Sequence, residues 1–250
     1  MKFGNSLGNT KVKKEEVIEA ILYRLKTGCQ WRQLPMKQFF RSKYKWQSVY
    51  CHFQKWCKDG SWELVWKKVL EKHKHILDLS SIQLDGSHTP SKRGGQAVAY
   101  QGRKKCNTSN MLMLTDNQGM PLACSEAVSG NHNDAYNLEK NAEEMLQTIR
   151  QSKISAEGLF LNADSGFDTV GFRSYCYKNE INANIDENKR NGKQAEYIFD
   201  KLLYKCRFVI ERTNAWMDAF KAILVRYETN KIHWRAMNLI AFSVILLRQL

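Results

Sequence analysis

Proline is scarce, with only 3 residues in 250, and neither an internal repeat nor a low-complexity linker interrupts the chain. Those absences exclude a solenoid and a Pro-rich spacer. No apolar run is long enough to cross a bilayer. The most apolar segment, "AMNLIAFSVILL", stops at Arg248 after 12 residues, against the ~20 that a spanning helix needs. It reads as a buried helix, and no membrane is expected among the partners. The N-terminus "MKFGNSLGNTKVKKEE" lacks the apolar core of a signal peptide. The seven cysteines are odd in number and follow no framework spacing, which fits a reducing cytoplasm better than a disulfide scaffold. What remains, 43% apolar and 11% aromatic residues, suits a compact globular protein with a sizeable core.

Acidic residues are also in short supply, and the deficit is uneven. The formal net charge is +14, which points to a polyanionic partner, nucleic acid first. Up to Asp78, 17 Lys and Arg stand against 7 Asp and Glu, a net of +10. From Leu79 onward the count is 22 against 18, a net of +4. The N-terminal third is therefore expected to be the main phosphate-facing part.

That third reads as helical. Val17, Ile18, Ile21, Leu22 and Leu25 recur at helical spacing, with Gly28 as a stop. "KWQSVYCHFQKWCKDG" stacks Trp46, Val49, Tyr50, Phe53 and Trp56 on one side, and a third helix begins at Ser61, an expected N-cap. Three short basic helices form either a helix-turn-helix-like DNA-binding unit or an ordinary bundle with a basic surface; the charge imbalance favours DNA. Residues 1–78 are thus expected to be a small all-α domain.

After Asp78 the period changes. "SSIQLDGSH", "SNMLMLTD" and "PLACSEAVSG" read as strands, the last two joined by the turn "DNQG". A helix over 136–151, a strand "GLFLNADSG", a helix over 170–178 and a strand "INANID" come next. The basic loop "ENKRNGK" then leads to helical runs over 197–226 and 234–249. Three strands, helix, strand, helix, strand, helix is the order of an RNase H-like α/β domain. It predicts a mixed five-stranded sheet with flanking helices over 79–250.

Three acids stand out by position. Asp85 lies in "IQLDGS" on the face opposite Ile82 and Leu84, and Asp164 closes the fourth strand. Such carboxyl ends are where α/β sheets place their sites. Glu211 lies on the helix after the fifth strand. On one continuous α-helix, Tyr204, Arg207, Glu211 and Asp218 would fall within a sector of about 60°. Clustered carboxylates repel unless a divalent cation compensates them. All-oxygen ligands favour Mg²⁺, with Mn²⁺ as a substitute. Two such ions about 4 Å apart would serve in-line attack on a phosphodiester. Arg207 is placed to grip a phosphate, with Tyr204 beside it.

These residues carry a resemblance. "GCQWRQLP" followed by an aromatic-rich helix and "DGSW", then "LDGSHTP", "GNHNDAYNL", "LNADSGFDT" and "YKCRFVIERTNAWMDAFKAILVRYE", resemble, in order, the motifs of DDE transposases of bacterial insertion sequences. The group is the one named after insertion sequence 5. The resemblance implies an RNase H-like fold and a metal-dependent triad of Asp85, Asp164 and Glu211. It also implies binding to terminal inverted repeats and target DNA, strand cleavage and transfer, a homo-oligomer on DNA, and a place in the bacterial nucleoid. A related signature of Tyr, Arg, Glu and Lys is matched at Tyr204, Arg207 and Glu211 but holds Asp218 at its last position, with Lys221 three residues on. The alternative is a cleavage-dead DNA-binding remnant or regulator of the element; a general RNase H-like nuclease is a third reading.

Other residues are read more plainly. Asp168 is expected to be a helix N-terminal acid beside Thr169, and Asp116 to serve its turn. His132 and Asp134 either line the site, or Asn133 or Asp134 caps the next helix. Cys51, His52 and Cys57 invite a zinc reading, but the two thiols point to different sides of a helix, so core roles are expected. Lys189, Arg190 and Lys193 are expected to contact phosphates near the site, or else to be a solvated loop.

Overall fold

The computed structural model describes residues 12–189 and 199–250. The first helix, α1 (Lys14–Thr27), opens with the Glu16 carboxylate accepting the Lys13 N–H at 3.0 Å and ends at Gly28. There φ is 68°, and a Cβ would crowd the Lys221 backbone, so only glycine suits the turn. A short α2 (Met36–Phe39) precedes α3 (Trp46–Lys58) and α4 (Ser61–His73). Ser61 is not the cap the sequence suggested. Asp59 takes both the Ser61 N–H and hydroxyl, and Gly60, at φ 74°, makes the turn.

The sheet holds β1 (Ile82–Pro90), β2 (Ala99–Gln101), β3 (Cys106–Thr115), β4 (Pro121–Cys124), β5 (Val128–Ser129), β6 (Phe160–Ala163) and β7 (Asn182–Ile185). Antiparallel β1 and β3 pair along most of their length, and β4 continues that meander. Strands β6 and β7 add in parallel beside β1. The order β4-β3-β1-β6-β7 is the expected RNase H-like sheet. It is extended by the short β2, absent from the sequence reading, and the single strand predicted over "PLACSEAVSG" is split into β4 and β5, all three on β3. Helix α5 (Leu138–Gln151) comes after the meander, and α6 (Val170–Lys178) joins β6 to β7.

The chain closes with α7 (Lys201–Lys205), a 3₁₀ turn over Cys206–Val209, α8 (Ile210–Asp218), α9 (Lys221–Leu224) and α10 (Lys231–Leu247). The apolar C-terminal run forms α10, which packs on α4 and β4, buried as expected. Among the described residues no helix is long and apolar enough to cross a membrane. The N-terminal helices share the core of the sheet. Trp66 donates its indole N–H to the Leu122 carbonyl at 3.0 Å and meets Phe242 edge-on. Glu228 accepts from both Arg24 and the Trp31 indole.

One polar feature runs through this core. Gln83, Asn162 and Asn184 stand side by side on β1, β6 and β7, each at most 2% exposed. The Asn162 amide donates to Gln83 Oε1 at 2.8 Å, and the Asn184 amide donates to Asn162 Oδ1 at 2.7 Å. Asn162 also reaches the Leu203 carbonyl, and Asn184 bonds both the N–H and C=O of Asp200. The ladder thus ties the start of α7 to three strands. It also sets the geometry just beyond α7. The Leu203 carbonyl accepts from Asn162 and from Cys206 N–H, three residues on, which is a 3₁₀ bond.

The single helix predicted over 197–226 is therefore wrong in its described part, and residues 197 and 198 lie outside the described residues. Because a 3₁₀ turn advances about 120° per residue rather than 100°, four such residues rotate α8 by roughly 60–80° relative to α7. Replacing Asn162 with Ala should leave the Gln83 Oε1 without its donor and one Asn184 amide hydrogen without its acceptor, both buried. The expected loss is ~2–4 kcal/mol in urea unfolding, and a loss below 1 kcal/mol would show that the ladder is dispensable.

Candidate active site

The ladder underlies a row of acids one pleat above it. Two residues beyond Gln83, Asn162 and Asn184 come Asp85, within β1, and Asp164 and Asp186, just past the ends of β6 and β7; the period of two puts all three on the ladder's face of these neighbouring strands. Asp85 and Asp164 each use one oxygen locally. Asp85 Oδ1 accepts the Gly86 N–H at 2.9 Å, and Asp164 Oδ1 accepts the Gly166 N–H at 2.8 Å. Burial pushes the Asp85 carboxyl up to about 6, and the charges of Asp164 and Asp134 add to the rise while Arg207 opposes it. The first two expected acids therefore share one electrostatic site.

Arg207 sits on the 3₁₀ turn that packs over β1 and β6. Its guanidinium lies over the Tyr204 and Phe208 rings at 5.6 and 4.9 Å, and its buried Nε has no hydrogen-bond partner. Burial raises the Tyr204 phenol, with Arg207 opposing and Asp186 and Asp164 adding to the rise. Tyr204 and Arg207 thus stand beside the acid row.

Glu211 does not join them. Among the described residues no three His, Cys, Asp or Glu side chains approach closely enough to hold a metal ion. The reason is the helix phase. Thr213 donates its hydroxyl to the Gly119 carbonyl at 2.5 Å and Arg212 bonds the Gln118 carbonyl, which fixes the buried side of α8. Glu211, two residues earlier, is ~200° around the helix, exposed, and without a hydrogen bond or ion pair among the described residues. The polar stripe read from the sequence is therefore broken between Arg207 and Glu211. Asp218 lines a cavity of about 500 Å³ with Ser87, His88 and Lys104, while Lys221 lies against Gly28 of the N-terminal part.

Two family comparisons bear on this arrangement. Residues 2–66 match a transposase family of the IS4/5 type, and residues 81–248 match the DDE superfamily endonuclease family. The chain belongs to the DDE superfamily of endonucleases. No curated protein matches it. Similar solved structures include a pre-cleavage Mos1 transpososome at 10% identity and TM-score 0.33, covering 98% of this chain and 81% of that one. A Mos1 transposase paired-end complex with the left transposon end aligns at 11% identity and TM-score 0.33, covering 99% and 82%. A Mos1 mariner paired-end complex with Mn aligns at 9% and 0.32, covering 99% and 80%.

In this endonuclease Asp134 approaches from the other face of the sheet. A Cβ on Gly86 would overlap its carboxylate, so the glycine after Asp85 is the gap that Asp134 fills. Asn110 Nδ2 donates to Asp134 Oδ1 at 2.6 Å, with His88 Nε2 at 3.6 Å. Neither Asn133 nor Asp134 caps α5, whose N-cap is Asn137. His132 stacks on Tyr136 at 3.7 Å. Asp168 is a buried partner of Arg173 at 2.6 Å and of the Asn188 N–H, while Thr169 caps α6. Lys189 is exposed, and Arg190 and Lys193 lie outside the described residues. Cys57 is buried in the core, and His52 contacts the Tyr44 hydroxyl.

Sequence reading missed Gln83, Asn162, Asn184, Asp186 and Gly86. A signal for most of them was present: "QLD", "NAD" and "NID" repeat an amide, one apolar residue and an acid on three strands. Because the fold favours protonated Asp85, its stability is complete below pH 4, the ordinary Asp range, and falls as pH rises through about 6. Asp85→Asn should therefore stabilise the metal-free endonuclease at pH 8 by ~1–2 kcal/mol and leave it unchanged at pH 4. Urea unfolding in EDTA reads the difference; equal stability at pH 8 would refute the strained carboxylate.

Proposed function

We propose that this endonuclease is a transposase of a bacterial insertion sequence. It binds the terminal inverted repeats of its element, frees 3′-hydroxyls by cleavage and joins them to target DNA. The observation that carries the reading is the pair Asp85 and Asp164, each two residues beyond the paired Gln83 and Asn162 of neighbouring parallel strands, electrostatically coupled, each with one carboxylate oxygen unused among the described residues. The donors are all oxygen, and the burial that raises Asp85, with the repulsion of Asp164 and Asp134 added, is the deficit a hard dication relieves. The residues thus fit Mg²⁺ or Mn²⁺, held by Asp85 and Asp164 with Glu211 as the third ligand of a two-ion site. Bound there, the metal would supply charge stabilisation for the phosphodiester oxygens in attack and departure.

The chain's own residues orient the DNA. Arg207, with its unpartnered Nε, donates to a phosphate beside the acid row, and Tyr204 supports the guanidinium. Lys189, Arg190, Lys193 and Lys221 add backbone contacts, with His132 and Asp134 at the rim. Residues 1–78 form the basic DNA-binding domain and 79–250 the catalytic one. Glu211, on the exposed side of α8, is the third acid of this reading, and the Arg212 and Thr213 bonds to Gln118 and Gly119 must yield for it to turn toward the pair. Both ends of the element must be held together, so the working form is a homo-oligomer on DNA in the bacterial nucleoid.

Asp85→Asn, Asp164→Asn and Glu211→Gln should each slow Mg²⁺-dependent cleavage of cognate ends by ~10²–10³-fold or more. EDTA should abolish it, while affinity for the ends stays within a few-fold. A variant that still nicks at the parent rate is no member of the triad, and full cleavage in EDTA would sink the metal-dependent reading.

A further inference from the structure

Two loops of the catalytic domain carry cations that none of these roles uses. Lys92 and Arg93 lie between β1 and β2, and Arg103, Lys104 and Lys105 form the turn from β2 to β3; all five are exposed. None forms an ion pair among the described residues, and the one side-chain hydrogen bond is from Lys104 Nζ to the His88 carbonyl at 2.6 Å. The first loop is held rigidly. Fully buried Arg226 donates to the carbonyls of Ala97, Gln96, Glu228 and Thr229 and to the Ser109 hydroxyl, while its own carbonyl accepts the Lys92 N–H. Gly95, at φ 115°, leaves no room for a Cβ against Thr229.

Between the β2–β3 turn and the segment 130–134 lies an open cavity of about 400 Å³, within the ~300–1,000 Å³ range of ligand sites. Its outer rim is Tyr100 and Arg103, and its far wall is His132, backed by the stacked Tyr136 ring. Tyr100 is 59% exposed, so its ring is available to a partner. The inner end is Asp134 and His88, and Asp134 is within electrostatic reach of Asp85. Cations at a rim and aromatic faces within are what an unpaired nucleic-acid strand needs: phosphates outside, bases stacked inside. The acidic inner end repels phosphate and accepts from base amino groups.

We propose that this groove binds single-stranded DNA on the face of the sheet opposite Asp85, Arg103 at its rim and Lys105 on the adjoining turn holding phosphates and Tyr100 with the His132–Tyr136 stack holding bases. The proposal rests on the transposase reading for its substrate class, but its test needs no cleavage. Fluorescence anisotropy of the full chain in EDTA measures affinity for a labelled 20-nucleotide single strand and for the same sequence as a duplex, across a salt series. Tyr100→Ala should weaken single-strand binding about tenfold with an unchanged salt slope, and Tyr100→Phe should restore it. Arg103→Gln with Lys105→Asn should lower the single-strand salt slope by about 1.4, two phosphates at about 0.7 each. Asparagine is chosen because Lys105 holds left-handed backbone at φ 52°. Unchanged single-strand affinity in both variants would overturn the proposal. So would equal losses for duplex and single strand in Tyr100→Ala, since that outcome marks an unspecific basic surface. Failure of the metal-dependent reading would appear only in the cleavage assay and leave these outcomes interpretable.

Discussion

The architecture depends on the buried amide ladder of Gln83, Asn162 and Asn184. Parallel strands buried on both faces are usually continuous apolar runs, and three amides among them are tolerable only if every donor and acceptor is engaged. Engagement here fixes the register of three strands at once, because a slip of one residue would send each amide to the opposite face. It also recruits Asp200 and Leu203, so the segment carrying Tyr204 and Arg207 is bonded to the sheet rather than merely packed on it.

The acid row above the ladder shows where that order is turned to chemistry. Asp85 is buried beside like charges and rises to about 6, a local conflict the fold sustains because the surrounding bonds over-determine the strands. Gly86 and Asp134 extend the same logic to the other face. Removing one side chain admits another carboxylate, so negative potential gathers around Asp85 from both sides of the sheet.

How much was legible in the sequence depends on which interactions are local. Strand order, the acids at strand ends and the buried final helix came from period and composition, and Gly28 from a stop signal. The position of Glu211 was not legible, because the change of helix phase is imposed by Asn162, 41 residues before Leu203 in the chain. A wheel drawn on an unbroken helix had no means of including that bond. Strand β2 and the break between β4 and β5 escaped for a related reason: at three and two residues, β2 and β5 exist through pairing with β3 rather than by propensity. The amide-x-acid repeat was visible throughout, but its meaning requires knowing that the three strands are neighbours.

The bond from the Trp66 indole to the Leu122 carbonyl, with Glu228 gripping Arg24 and Trp31, joins the basic helices to the sheet through groups shielded from water. A contact of that kind behaves as a weld rather than a hinge. The N-terminal helices and the acid row are then held at one fixed separation, and neither can turn without carrying the other.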